Sequence, residues 1–114
     1  MILYGIKNCD TVRKARRWLE ANDVNYQFHD FRSNGLDPAI INHWLESVSW
    51  ETLLNKCGTT WRKLEDPRKE HLNQTIAVEL MLENPTLIKR PVLSDNSGCK
   101  VGFKAADYAA YFAN

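Results

Sequence analysis

The chain has 114 residues, of which 44% are hydrophobic and 25% are charged, and its formal net charge is +1. This length and composition are typical of one globular domain and leave too few residues for two independent domains. The near-neutral charge gives no reason to expect nucleic acid or a membrane surface as a partner. No apolar run approaches the roughly 18 residues that are needed to span a bilayer.

The first third of the chain predicts a strand, a helix and a second strand. Residues 1–6 are a short apolar run, and from Asp10 to Asn22 apolar side chains recur at helical spacing. Residues 24–29 alternate apolar and polar side chains, as a half-buried strand does. A strand, a helix and a strand within about thirty residues predict a βαβ unit with two parallel strands.

The middle of the chain, about residues 36–85, predicts a helical insertion. Asp37, followed by proline, is typical of a helix start, and Ser49 is a candidate cap for a shorter helix. Residues 58–63 predict a polar loop. A further helix is predicted from Asn73 to Glu83, where an Asn-Pro pair ends it.

The last third predicts two strands and a final helix. Residues 86–93 form a strand pattern that is interrupted by Pro91, which we expect at the start or the edge of a strand. Turn residues at 95–98 predict that residues 100–103 return antiparallel to residues 91–93. The final helix is predicted to bury one face, made of Ala105, Tyr108, Ala109 and Phe112.

The predicted order of elements defines the fold class. A βαβ unit, a helical insertion and a ββα unit together predict an α/β protein with a thioredoxin-like fold. We expect a single domain over residues 1–114, in which the insertion is not a separate domain. In a thioredoxin-like fold the first strand leads to the reactive cysteine and the first helix.

Cys9 is the candidate nucleophile, because it lies between the first predicted strand and the first predicted helix. Free N–H groups and the positive end of the helix dipole stabilise a thiolate there, and the thiolate is the reactive form of cysteine. Lys7, Arg13 and Lys14 add positive charge nearby, whereas the adjacent Asp10 carboxylate opposes thiolate formation. The alternative is that Cys9 is an inert, partly buried thiol.

The other cysteines and the histidines carry weaker signals. Cys57 is a candidate resolving thiol without supporting spacing, and Cys99 follows a turn glycine. Three widely separated cysteines favour a reducing cytoplasm over a disulfide framework, and no signal peptide is recognised. The histidines are scattered through the chain without a second ligand at metal spacing, so we expect no metal site.

Three stretches of the chain together resemble one family: Tyr4–Ala15, Gly58–Leu64 and Leu87–Leu93. They are similar to the arsenate reductase-related branch of the thioredoxin superfamily, which includes ArsC enzymes, Spx regulators and the small YffB-like proteins. The resemblance covers the whole chain, and the short length together with the last two motifs points to the YffB-like group.

The resemblance implies roles for individual residues. It makes Cys9 the nucleophile, places Arg90 beside the thiol and implies that Pro91 follows a cis peptide bond. Arg13 corresponds to the basic residue that the family has early in its first helix. With the catalytic pair Cys9 and Arg90 we group the predicted substrate-binding residues Lys7, Thr11, Arg13, Arg62 and Pro91.

The chain also departs from the family's patterns. Asn55 and Phe103 stand where ArsC enzymes carry arginines that hold the arsenate oxyanion, and Gly5 stands where they carry a histidine. Many Spx regulators have a Cys-x-x-Cys switch, but the segment from Cys9 to Val12 has one cysteine. An internal redox switch is therefore absent from this segment.

These features predict a glutathione-dependent thiol/disulfide reductase of the ArsC/YffB type. Cys9 attacks a disulfide or an oxidised thiol adduct, and the second thiol comes from outside the chain, with glutathione as co-substrate. We expect no bound cofactor. We also expect a monomer, because no long apolar edge or heptad seam is present.

Two alternatives remain open at this point. The first is an Spx-like module that binds RNA polymerase and has kept the fold without the switch, through protein contacts and not DNA contacts. The second is true arsenate reduction, which ranks last because the oxyanion-binding arginines are missing.

Overall fold

The computed structural model describes residues Met1–Ala113, which form two compact units. One unit consists of the residues up to Gly35 and from Arg90 onward, and the other is Leu36–Lys89. The predicted single domain over residues 1–114 includes Asn114, which lies outside the described residues, and the single-domain organisation stays a prediction. In chain order the elements are β1 (Ile2–Gly5), α1 (Asp10–Ala21), β2 (Gln27–Asp30), α2 (Pro38–Leu45), α3 (Trp50–Leu53), α4 (Thr59–Lys63), α5 (Gln74–Glu83), β3 (Val92–Asp95), β4 (Gly98–Val101) and α6 (Ala105–Phe112).

The first unit contains a four-stranded sheet in the order β2-β1-β3-β4. β1 is parallel to β2, whereas β3 is antiparallel to both β1 and β4. The predicted βαβ and ββα units are confirmed. Because Tyr4 pairs with Val92 and Ile2 pairs with Ser94, the end of β1 lies beside the beginning of β3. This register determines which loops meet at each end of the sheet.

Helix α1 buries the face that its sequence pattern predicts. Val12, Ala15 and Leu19 have no solvent exposure, whereas the basic residues of the helix's other face are exposed. The core of this unit joins residues of α1, β1, β3 and α6: Leu3, Ala15, Leu19, Leu93 and Tyr108. On α6 the predicted face is only partly correct, because Ala105 and Ala109 are exposed.

The second unit is helical, and its predicted helix starts are confirmed. The Asp37 carboxylate accepts a hydrogen bond from the Ile40 N–H at 3.0 Å, and the Ser49 hydroxyl accepts one from the Thr52 N–H at 3.2 Å. Each bond satisfies an N–H group that the first turn of a helix leaves without a helical partner. Asn73 also caps its helix, so α5 begins one residue after the predicted start.

The predicted loop over residues 58–63 is wrong, because most of it forms the short helix α4. Two threonines at its start gave no helical signal, since β-branched residues are weak helix formers. The turn is stabilised from outside: the Lys69 ammonium group donates to the carbonyls of Trp61 at 2.7 Å and Leu64 at 3.0 Å. The carbonyl groups at the end of a helix lack donors within the helix, and Lys69 supplies them here.

The predicted strand over residues 86–93 is also shorter than expected. Pro85–Leu87 forms a 3-10 turn, Ile88 makes an isolated bridge to Leu54, and the strand begins only after Pro91. Pro91 therefore precedes the start of β3, as predicted. Within the described part of the chain, no helix is long and apolar enough to cross a membrane.

Candidate active site

Cys9 occupies the N-cap position of α1. Its backbone is extended, and its carbonyl accepts the first helical hydrogen bond, from the Arg13 N–H at 2.9 Å. The three residues between the end of β1 and Cys9 bring the half-buried thiol to the start of the helix. The sulfur makes no capping hydrogen bond of ordinary geometry. The sulfur nevertheless lies near the free N–H groups of the first turn, which stabilise the negative charge of a thiolate.

The environment of Cys9 favours the thiolate. Burial raises the pKa of the Cys9 thiol, because it disfavours the charged form. The backbone N–H of Val12, the guanidinium group of Arg90 and the backbone N–H of Thr11 act in the opposite direction, and together they hold the pKa below its ordinary value. The strongest opposing groups therefore come from two elements, the first turn of α1 and the segment before β3.

Arg90 and Pro91 precede β3 and so lie at the same end of the sheet as Cys9. The Arg90–Pro91 peptide bond is cis, as the resemblance implied. Arg90 is half-buried and contributes to the Cys9 site by a side-chain hydrogen bond and by its charge. Pro91 is buried, and its carbonyl accepts a hydrogen bond from the Gly102 N–H at 2.8 Å. Arg90 thus lies beside the thiol, and its catalytic role stays a prediction.

The other predicted residues near Cys9 face different partners. The Arg13 guanidinium binds the Asp10 carboxylate at 2.9 Å, on the exposed side of α1. Lys7 is exposed, and its backbone N–H donates to Asp30 at 3.2 Å. Thr11 acts on the thiol through its backbone N–H. Substrate binding by these residues stays a prediction.

Arg62 and the other two cysteines have separate surroundings. Arg62 is exposed on α4 of the second unit, and its role in substrate binding stays a prediction. Cys57 is exposed, and its N–H donates to the Asn55 side chain at 3.0 Å. Burial and the Asp95 carboxylate raise the pKa of Cys99, the opposite of the shift at Cys9. None of the three cysteines forms a disulfide.

Asp30, the last residue of β2, is a buried residue near the site that the sequence patterns did not predict. The residue is only 5% exposed, and its carboxylate accepts backbone hydrogen bonds from Lys7, Arg32 and Ser33. Burial raises the pKa of this carboxyl group, but the three N–H donors and the charge of Lys7 hold it below its ordinary value. One sequence signal could have indicated this residue. Asp30 directly follows the predicted strand over residues 24–29, which was expected to run parallel to the strand that precedes Cys9.

Two of the departures from the ArsC pattern, at Gly5 and Phe103, fit the packing of this chain. A side chain at Gly5 would place its Cβ 2.8 Å from Cγ2 of Val12, so α1 approaches β1 too closely for a larger residue. Phe103 is partly buried and packs edge-on against Tyr108 of the core of the first unit, with ring centroids 4.7 Å apart. Among residues Met1–Ala113, no cluster of three or more His, Cys, Asp or Glu side chains is arranged to hold a metal ion.

The comparison with protein families identifies the chain. The model of the ArsC family matches residues 4–111, which is nearly the whole chain. The protein belongs to the ArsC family. An uncharacterized protein of Haemophilus influenzae is 42% identical over 111 residues, with 97% of each chain covered. The global transcriptional regulator Spx of Streptococcus mutans is 28% identical over 114 residues, covering 96% of this chain and 80% of Spx.

Solved structures of this ArsC-family protein's relatives agree with its fold. The structure of the YFFB protein has a TM-score of 0.93 and 47% identity, with 98% of each chain covered. An arsenate reductase (ArsC) related protein from Brucella melitensis has a TM-score of 0.77 and 48% identity, covering 99% of this chain and 94% of that one. The predicted thioredoxin-like fold and the predicted relationship to ArsC, Spx and YffB are therefore confirmed.

Proposed function

We propose that this ArsC-family protein is a thiol/disulfide reductase in which Cys9 is the thiolate nucleophile and glutathione supplies the second thiol. The observation that carries the proposal is the setting of the Cys9 sulfur at a helix start beside Arg90. These donors lower the thiol pKa even though burial opposes them. A lowered pKa increases the fraction of reactive thiolate at neutral pH.

The proposed reaction proceeds by two thiol–disulfide exchanges. In the first, the Cys9 thiolate attacks a sulfur of a glutathione mixed disulfide, forms a disulfide with glutathione and releases the other partner as a thiolate. In the second, a free glutathione thiolate attacks that disulfide, restores the Cys9 thiolate and leaves as oxidised glutathione. In the net reaction one free glutathione thiolate and the mixed disulfide give the released thiolate and oxidised glutathione, one half of which comes from the substrate, and no bound cofactor takes part.

The remaining residues have supporting roles in this proposal. Arg90 stabilises the thiolate and binds a carboxylate of glutathione, which a guanidinium group suits by its planar donor geometry. Lys7, Arg13, Thr11 and Arg62 bind the substrate, and Pro91 shapes the backbone next to it. The cytoplasmic location and the monomeric state are retained as part of the same proposal.

The first test is the pH dependence of cysteine alkylation in the full chain, resolved by mass spectrometry for each cysteine. We expect a midpoint for Cys9 well below the value of about 8.5 that is ordinary for a thiol. Cys99, whose pKa is raised, serves as an internal comparison and should react only at higher pH. A Cys9 midpoint at or above the ordinary value would remove the basis of the proposal.

The second test is turnover of a glutathione mixed disulfide by the wild-type protein. Cys9→Ser should abolish the activity, because a hydroxyl group does not replace the thiolate in exchange. Cys57→Ser is the matched control: it makes the same chemical change at an exposed cysteine and should leave turnover unchanged. Loss of activity in the Cys57 variant would show that a second internal thiol takes part.

Spx is a global transcriptional regulator, and the similarity to it supports the alternative implied by the family resemblance, in which this chain binds RNA polymerase. Binding would not depend on Cys9, because the first turn of α1 carries no second cysteine for a switch. Pull-down with purified RNA polymerase separates the two functions: a binding module retains the polymerase after Cys9→Ser. Arsenate-dependent thiol consumption, measured against a reaction without the protein, tests the third and least favoured function.

A further inference from the structure

Asp30 is the one charged residue among the buried residues of the described chain. It ends β2 and pairs in register with Gly5, the last residue of the parallel strand β1. The two strands therefore deliver the loop before Cys9 and the loop after Asp30 to the same end of the sheet. A charged group at such a position is costly to bury unless its hydrogen-bonding capacity is satisfied.

The Asp30 carboxylate connects these two loops. One oxygen, Oδ2, accepts the backbone N–H of Lys7 at 3.2 Å, in the loop that leads to Cys9. The other oxygen, Oδ1, accepts the backbone N–H of Arg32 at 2.8 Å and, more weakly, that of Ser33 at 3.4 Å. The carboxylate thus holds the segment that carries the nucleophile against the turn that follows β2.

We propose that Asp30 is a positioning residue for Cys9: its carboxylate fixes the loop from Lys7 to Cys9 and so holds the sulfur at the start of α1. The proposal rests on the proposed role of Cys9 as a thiolate nucleophile. Asp30 does not touch the reacting atoms, and it acts through the backbone of Lys7.

A carboxylate suits this role because both of its oxygens accept hydrogen bonds. Asparagine has the same shape but only one accepting oxygen, so Asp30→Asn leaves either the Lys7 N–H or the Arg32 and Ser33 N–H groups without an acceptor. Bonds to a charged acceptor are also stronger than bonds to a neutral one. In the variant the loop before Cys9 is therefore held less firmly.

The direction of the effect distinguishes positioning from simple electrostatics. If Asp30 acted on Cys9 only as a nearby negative charge, its neutralisation would lower the thiol pKa, because a like charge disfavours the thiolate. If Asp30 positions the sulfur, the loosened loop weakens the contacts of Cys9 with the helix N–H groups and Arg90. The thiol pKa then rises.

The experiment compares Cys9 alkylation against pH in the wild-type protein, Asp30→Asn and Asp95→Asn. Asp95 is the matched control, because its carboxylate also ends a strand and accepts a backbone N–H, from Ser97 at 2.7 Å. It lies at the opposite end of the sheet from Cys9, since β3 runs antiparallel to β1. We expect the Cys9 midpoint to rise by roughly half a pH unit in Asp30→Asn and to stay unchanged in Asp95→Asn.

An unchanged or lower midpoint in Asp30→Asn would overturn the proposal, as would an equal rise in Asp95→Asn. A high midpoint in the wild-type protein would instead contradict the proposed function. If Asp30→Asn does not fold, an NMR titration of the wild-type protein in acid replaces it. The chemical shifts of the Lys7, Arg32 and Ser33 amides should change with one common midpoint, that of Asp30 protonation, and the Cys9 side-chain resonances should change with the same midpoint. Cys9 resonances that do not change with this midpoint would refute the proposal.

Discussion

At the scale of single residues, the pKa of the Cys9 thiol depends on opposing effects on one sulfur atom. Cys9 and Cys99 are both half-buried, and burial raises the pKa of each thiol. The two differ in their neighbours, because Cys9 meets helix N–H groups and Arg90, whereas Cys99 meets the Asp95 carboxylate. Burial alone therefore does not distinguish the two thiols, and the donors and charges around each sulfur determine the direction in which its pKa is shifted.

Replacing Arg90 tests this balance directly. In Arg90→Ala the alkylation midpoint of Cys9 should rise, because the variant removes both a hydrogen bond and a positive charge from the thiolate. Arg90→Lys should give an intermediate rise, since it keeps the charge but loses the planar donor group. Mass spectrometry of alkylated Cys9 across a pH series measures both shifts.

Arg13→Ala is the control for this comparison. Arg13 is also basic and close to Cys9 in sequence, but its guanidinium binds Asp10 and does not contribute to the Cys9 pKa. We expect a much smaller shift than in Arg90→Ala. Equal shifts in the two variants would mean that general positive potential controls the thiol, and not the specific contact with Arg90.

At the scale of elements, the junction of β1 and α1 determines where the cysteine lies. Gly5 ends β1, and Val12 is in the first turns of α1. The close approach of these two residues leaves no space for a side chain at position 5. The backbone N–H of Val12 also lowers the Cys9 pKa. Val12 therefore has two roles: its side chain packs α1 against β1, and its N–H group acts on the thiol.

Gly5→Ala should lower the free energy of unfolding by about 1–3 kcal/mol, the usual cost of overpacking a core. The new Cβ would lie 2.8 Å from the Val12 side chain, so α1 must shift. In the double variant Gly5→Ala, Val12→Ala the clash is relieved, and the two losses should be less than additive. Urea unfolding of the four proteins measures the coupling.

Gly58→Ala provides a comparison for the glycine substitution. Its Cβ would meet the amide of the Asn55 side chain at 3.0 Å, and that side chain is more readily displaced than a packed valine on a helix. We expect a smaller loss of stability than for Gly5→Ala.

The outcome that would contradict the Gly5 prediction is strict additivity in the double variant Gly5→Ala, Val12→Ala. Additivity would show that the close contact of these two residues does not limit position 5.

The outcomes for individual elements show what local pattern predicts. The caps at Asp37 and Ser49 and the buried face of α1 follow from residue type and spacing, and all three are confirmed. The loop predicted over residues 58–63 is wrong because Lys69, several residues later, stabilises a helical turn there. Local pattern fails where a side chain from outside the helix binds the backbone carbonyls at its end.

At the scale of the whole molecule, stability should fall in acid, with Asp30 as one cause. The pKa of Asp30 is held below its ordinary value in the folded protein, so its ionised form favours folding. This contribution is fully present above the pKa of an unfolded carboxyl group, about 3.9. It is lost as the pH falls through the lower value of the folded protein.

Urea unfolding at a series of pH values between neutral and strongly acidic measures this loss for the wild-type protein and for Asp30→Asn. The wild-type protein should be more stable at neutral pH, and the difference between the two should narrow as the pH falls. A difference that stays constant across the series would show that Asp30 contributes through shape and not through its ionisation.

The roles of Cys9 as the nucleophile and of Arg90 as its partner stay predictions that rest largely on the family resemblance. The order of the elements and the thioredoxin-like fold, in contrast, were predictable from the sequence and are confirmed. These follow from local signals, namely hydrophobic spacing, caps and short motifs, which depend on residues close together in the chain. The groups that act on the Cys9 sulfur are brought together by tertiary contacts and not by neighbours in the sequence alone. Arg90 is more than eighty residues from Cys9 in sequence, and the pairing of β1 with β3 brings them together. Asp30 is recognised as a buried tether only once β1 and β2 are paired, because burial and backbone hydrogen bonds arise from contacts between distant segments.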